Sequence, residues 1–181
     1  MALAPNGNDP FAGLGEVPSF ELTSTTVEDG GMWPAEQYSG AFGIEGGKDI
    51  SPQLSWSGAP EGTKSFAVTV FDPDAPTQSG FWHWVLTRIP ASVTELAEGA
   101  GDGLDLPEGA FQLKNDGGQP GFIGAAPPQG HGPHRYVITV HALDVEDLGV
   151  DGDTSPAKHG FMMFGHTLGR ATIVVNGEIP A

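Results

Sequence analysis

The chain has 181 residues, seven Lys plus Arg against 23 Asp plus Glu, a formal net charge of −16 at pH 7, and no cysteine. That length favours a single domain able to bury a core without cross-links. The absence of cysteine excludes a disulfide framework, zinc knuckles, iron–sulfur ligation and a cysteine nucleophile. The negative field repels phosphate backbones and anionic headgroups, so neither nucleic-acid binding nor electrostatic attachment to a membrane is expected.

Residues 1–17 are rich in Pro, Gly and Asn and are expected to form a flexible leader, with residues 18–181 as one domain. The leader lacks a basic segment followed by an apolar run, so no signal peptide is read. No stretch approaches the ~18 apolar residues of a membrane-spanning helix. A soluble cytoplasmic protein is the expectation. The 28 glycines and 16 prolines predict many loops, while 38% hydrophobic residues in periodic segments argue for an ordered, β-rich domain.

Residues 20–25 (FELTST) can form a first strand and residues 53–56 a short second one, separated by a loop-like stretch that includes SGAFGIEGGKDISP. Residues 65–71 (SFAVTVF) alternate Phe66, Val68 and Val70 against Ala67, Thr69 and Phe71; two apolar faces mark a central strand. The turn-rich DPDAPTQSG follows, then a strong strand over 81–89 (FWHWVLTRI) ended by Pro90. Residues 92–96 (SVTEL) carry a capping pattern and can open a helical turn. After a second turn-rich stretch, KNDGGQPGFIGAAPPQGHGP, residues 134–143 (HRYVITVHAL) form a third strong strand. Ser155 and Pro156 are suited to an N-cap and first helical position, opening a helix with Phe161, Phe164 and Leu168 at helical spacing. Residues 171–175 form a last strand. The fold class is mainly β: an antiparallel β-sandwich with one or two short helices, the main one near the C-terminus.

Polar residues interrupt this pattern at three places. Asp72 and Asp74 flank Pro73 after the central strand, His83 sits between two tryptophans, and His134 opens a strand behind a Pro/Gly loop. Taken singly, the acids read as turn residues bonding nearby amides and the imidazoles as satisfied core histidines. Taken together, they can converge at one end of a sheet, where loops place function. Two His and two Asp could hold zinc, but no pair has the usual ligand spacing, so no metal and no cofactor are expected. Arg135 alternates away from His134 and Tyr136 and reads as half of a structural ion pair. His131 lies in the loop and can take a place at the rim.

FAVTVFDPDAP, the aromatic-flanked His83 and the closing APPQGHGPHRY, in that order and together with SPQLSW, resemble the phosphatidylethanolamine-binding protein family over residues 18–178. The likeness is greatest to its bacterial and archaeal Raf-kinase-inhibitor-like branch. The resemblance implies a β-sandwich with a small pocket at one end that takes anions such as a phosphate headgroup. Asp72, His83, His134 and Tyr136 match the pocket lining, Asp74 and Pro76 the loop motif, Trp84 the neighbouring aromatic, and Ala126 and Pro127 the wall. Ala126 stands where the family often has glycine, and its methyl narrows the entrance. An acid beside an imidazole favours the imidazolium, so histidines held in this way can receive an anion without Lys or Arg.

The resemblance therefore implies a binding protein for a small anion or phospholipid headgroup that modulates a partner such as a kinase or protease, with a homodimer allowed. The alternative from another class is an enzyme, a hydrolase or cyclase, using Asp72, Asp74, His83 and His134 for general acid–base catalysis. A third is an inhibitor acting through surface loops. No nucleophile with a paired base is visible, since Ser79 stands alone in its turn.

Overall fold

A computed structural model describes residues 8–181, so the first seven residues of the segment expected to be a flexible leader, 1–7, lie outside the described residues. Eight strands and one α-helix follow in chain order: β1 (Glu21–Thr23), β2 (Leu54–Ser57), β3 (Ser65–Asp72), β4 (Phe81–Pro90), β5 (Glu95–Leu96), β6 (Phe111–Gln112), β7 (His134–Leu143), α1 (Pro156–Met163) and β8 (Thr167–Gly177). They build a three-stranded sheet, β1-β2-β5, and a five-stranded sheet, β6-β4-β3-β7-β8, antiparallel throughout.

The core lies between the sheets. Leu22, Leu54, Trp56 and Leu96 of the small sheet meet Phe66, Val68, Val70, Trp84, Leu86, Ile138, Val140 and Ile173 of the large one. The alternation of β3 explains its central place: all eight of its residues are buried. Phe66, Val68 and Val70 enter the inter-sheet core, while Ala67 joins a smaller outer cluster with Leu143, Leu148 and Met163 beneath α1. Because both faces are covered, neither can carry an unpaired polar group cheaply. Thr69 accordingly bonds His141 Nε2 at 2.9 Å, and Thr87 bonds His159 Nε2 at 3.0 Å.

Two local expectations change. Residues 92–96 do not form a helical turn: Glu95–Leu96 is β5, pairing with Ser55 and Leu54. The β-branched Val93 and Thr94 favour an extended chain, the Thr94 carbonyl accepts from the Trp56 amide, and Leu96 is buried in the core. Near the C-terminus, Ser155 caps the helix by accepting from the Lys158 amide, with Pro156 at the first position. The helix nevertheless ends at Met163, because Phe164 is extended and Gly165 takes a φ of +86°. Its buried stripe is therefore Pro156, His159 and Met163; Phe161 and Phe164 are 76% and 63% exposed, and Leu168 belongs to β8.

Candidate functional site

Antiparallel pairing brings the end of β3 beside the beginnings of β4 and β7, so Asp72, His83 and His134 gather at one end of the large sheet. A bulge supplies the imidazole of β4. Val70 pairs with Trp84 and Phe71 with Trp82, which leaves His83 as an extra residue. Two residues on one strand then face one on its neighbour. Trp82 stacks on Phe71, ring centroids 4.3 Å apart, while Trp84 enters the inter-sheet core and the His83 ring meets Tyr136 edge-on at 5.1 Å.

Loops close the site. The Gly124 amide donates to Asp49 Oδ1, and a Cβ on Gly124 would lie 2.4 Å from the Tyr38 carbonyl carbon, so only glycine permits these two loops to touch. This contact sets the Ile123 carbonyl, which accepts from His83 Nδ1 at 2.8 Å. The resulting cavity of about 510 Å³ is lined by Asp72, Pro76, His83, Ala126, Pro127, His134 and Tyr136 among the residues singled out from sequence. Phe42, Ile44, Phe81 and Ile179 add apolar wall that the sequence reading had not assigned.

Asp74 and Trp84 are not part of this lining. The Asp74 carboxylate turns to Arg135, accepting from its backbone amide and Nε at 2.9 Å and from Nη2 at 2.8 Å. Arg135 is thus half of an ion pair behind the strand. Trp84 is fully buried and donates its Nε1–H to Gln112 Oε1 at 2.6 Å.

Inside the cavity a chain of polar groups runs toward the surface. Asp72 Oδ1 accepts from the Asp74 amide, its Oδ2 lies 2.7 Å from His134 Nδ1, and His134 Nε2 lies 2.7 Å from His131 Nδ1. Asp72 and His134 are 3% and 1% exposed, so this short pair sits where competition from water is small. His131 thus joins the site by bonding the pocket histidine directly; the signal for it was its place three residues before His134.

His83 differs from the expectation of two imidazolium rings. Burial pushes its pKa down, and the Ile123 carbonyl and the Asp72 charge do not offset this, so the ring is neutral at pH 7. With Nδ1–H given to Ile123, Nε2 is left as an acceptor. Burial foremost, aided by the Asp72 charge, pushes the Tyr136 phenol up. It stays protonated although the Ala126 backbone acts in the lowering direction, and among the described residues its buried hydroxyl has no hydrogen-bond partner of normal geometry. The cavity therefore offers one unmet donor, one acceptor and the Asp72–His134 pair, whose outer nitrogen is held by His131 beyond the lining. Among the described residues no group of three or more His, Asp or Glu side chains is arranged to hold a metal ion, and no helix is long and apolar enough to cross a membrane.

These features define a class first: an antiparallel two-sheet sandwich with a polar-floored pocket where three strands end. Residues 23–178 match the phosphatidylethanolamine-binding protein family, and the chain belongs to that family. It is 48% identical to the Escherichia coli protein YbcL over 163 residues, covering 89% of this chain and 88% of YbcL. With E. coli YbhB it shares 46% identity over 154 residues, 84% of this chain and 96% of the relative. The crystal structure of E. coli YbcL, described as a member of the mammalian PEBP family, superposes with a TM-score of 0.86 over 89% of this chain and 99% of that one. A Chlamydia trachomatis homologue, at 29% identity, gives 0.73 over 87% and 96%.

Proposed function

We propose that the cavity at the strand ends binds a small oxyanion, phosphate or a phosphate-bearing headgroup, and that occupancy modulates a partner protein such as a kinase or protease. The observation that carries this reading is the buried Tyr136 hydroxyl, whose O–H meets no acceptor of normal geometry among the described residues, in the same cavity as the Asp72–His134 pair. A buried donor left unmet costs about 1–3 kcal/mol, which a ligand oxygen recovers. Since neutral His83 offers an acceptor, the best complement is an oxyanion that retains one proton: it accepts from Tyr136 and donates to His83.

NMR titration of the His83 and His134 rings with phosphate, acetate and phosphoethanolamine at pH 6–7 tests the reading. Both rings are expected to shift saturably together, and Asp72→Asn is expected to abolish the response. Silence of both rings overturns the proposal, and turnover of a ligand that is lost in His83→Ala would replace binding with catalysis. His131 occupies the outer nitrogen of His134, so a ligand reaching that nitrogen must displace it. His131→Ala is expected to tighten phosphate binding about fivefold, the ~1 kcal/mol of one hydrogen bond. Weaker binding would make His131 a ligand contact instead.

A further inference from the structure

A second cavity lies on the opposite face of the large sheet. Its volume is about 560 Å³, within the ~300–1,000 Å³ of small-molecule sites. Outward-facing residues of the large sheet form the floor, α1 one wall, and the segment carrying Phe11, Leu14 and Val17 another. The lining is mainly apolar, with the stacked Phe71 and Trp82 rings on the sheet side and Phe161 on the helix side.

One cation borders it. Arg170 pairs across strands with His141, and both line the cavity. The other two arginines pair with carboxylates, Arg88 with Asp147 and Arg135 with Asp74. Among the described residues no carboxylate oxygen lies within the ion-pairing distance of 4.0 Å from Arg170. Asp9 acts on it only from farther away. Its guanidinium stacks on the Phe11 ring, 5.2 Å from the centroid, and Nη1 donates to the Gly15 carbonyl at 3.3 Å. In a chain of net charge −16, a half-buried arginine without a carboxylate beside an apolar cavity is the charge complement of an apolar-bodied anion. His141 and His159, buried nearby, are held neutral at pH 7 and add no charge of their own.

We propose that this outer-face cavity binds a small amphipathic carboxylate, an aliphatic or aromatic acid whose apolar body lies between Phe71, Trp82 and Phe161 and whose carboxylate takes the guanidinium of Arg170. The site is separate from the oxyanion pocket, since Phe71 turns to one face of β3 and Asp72 to the other.

Calorimetric titration of the full chain with decanoate, decanol and decylammonium, each below its aggregation concentration at pH 7.5, tests the assignment. Decanoate is expected to bind saturably and at least tenfold more tightly than decylammonium. Arg170→Gln is expected to weaken decanoate at least tenfold, which is about 1.4 kcal/mol, while leaving decanol unchanged. Gly160 lines the cavity with no atom within 4 Å of where a Cβ would stand. Gly160→Leu therefore fills the space while favouring the helix, and is expected to abolish binding of all three. The proposal is overturned by absence of saturable decanoate binding, by indifference of decanoate to Arg170→Gln, or by full binding in a folded Gly160→Leu variant. A wild-type dimer that Phe161→Asp dissociates, with no decanoate uptake, overturns it in favour of a second copy as occupant. Titrating phosphate against the His83 ring in the same variants keeps failure here distinct from failure of the oxyanion pocket.

Discussion

Arg135→Met tests the clamp that joins the end of β3 to the start of β7. Asp74 is 5% exposed and accepts three hydrogen bonds from Arg135, whose own side chain is 28% exposed. Removing one partner of a buried pair costs about 3–5 kcal/mol, because the remaining charge is stranded. Water reaches the arginine side, so the low end applies, about 3 kcal/mol. For a chain of this size that lowers Tm by about 6–12 °C. The second variant, Asp74→Asn with Arg135→Met, removes the stranded charge, and the new amide oxygen can still accept from the residue 135 backbone. It is expected to recover at least half of the loss. Burial acts to raise the Asp74 pKa, yet the side-chain bond, backbone bond and charge of Arg135 bring it below the usual carboxylate value. A carboxyl lowered in the folded state stabilises above its unfolded pKa, near 3.9, and that contribution disappears as pH falls through the folded value. The gap between wild type and Arg135→Met, read by urea unfolding, should therefore narrow from pH 7 to pH 3. A single-variant loss below 1 kcal/mol, or a double variant no better than the single, refutes this reasoning.

Two further outcomes concern the sheet and the loops. Burial lowers His141 to about 3 and His159 to about 4, so between these values and about 6.5 only the unfolded chain takes up protons there. Stability is full above pH 6.5 and falls as pH drops, by on the order of 3 kcal/mol between pH 7 and 5; a His141→Gln, His159→Gln variant should show a flatter urea-unfolding profile. Gly124→Ala forces a methyl against the Tyr38 backbone and is expected to cost about 1–3 kcal/mol by thermal unfolding. It should also disturb the His83 ring signals, because Ile123 moves with the loop.

Alternation made β3, β4 and β7 legible in the sequence, and β7 begins and ends where its pattern does. Short strands carry no period, so β5 was hidden under a capping pattern and the two residues of β6 were left unassigned. Asp72, His83 and His134 could be brought together from sequence because Asp72 ends one strong strand, His83 lies near the start of the next and His134 opens a third. Asp74 could not be separated from Asp72 by spacing alone; the direction of its side chain is decided by Arg135 on another strand. Phe42 and Ile44 reach the cavity from a glycine-rich loop without period, and Ile179 from beyond the last strand. Simple alternation also puts Trp82 and Trp84 on one face, whereas the bulge sends them to opposite faces.

That bulge makes the pocket imidazole an addition to the sheet. With His83 removed, Trp82 and Trp84 would follow one another opposite Phe71 and Val70, each still on its present face, with no break in the ladder at that point. The strand thus needs no histidine to keep its partners. A deletion at this position should disturb the sandwich less than a deletion one residue to either side, since those would remove a tryptophan from the outer layer or from the core. The residue that most marks the pocket is the one the surrounding architecture can most readily do without.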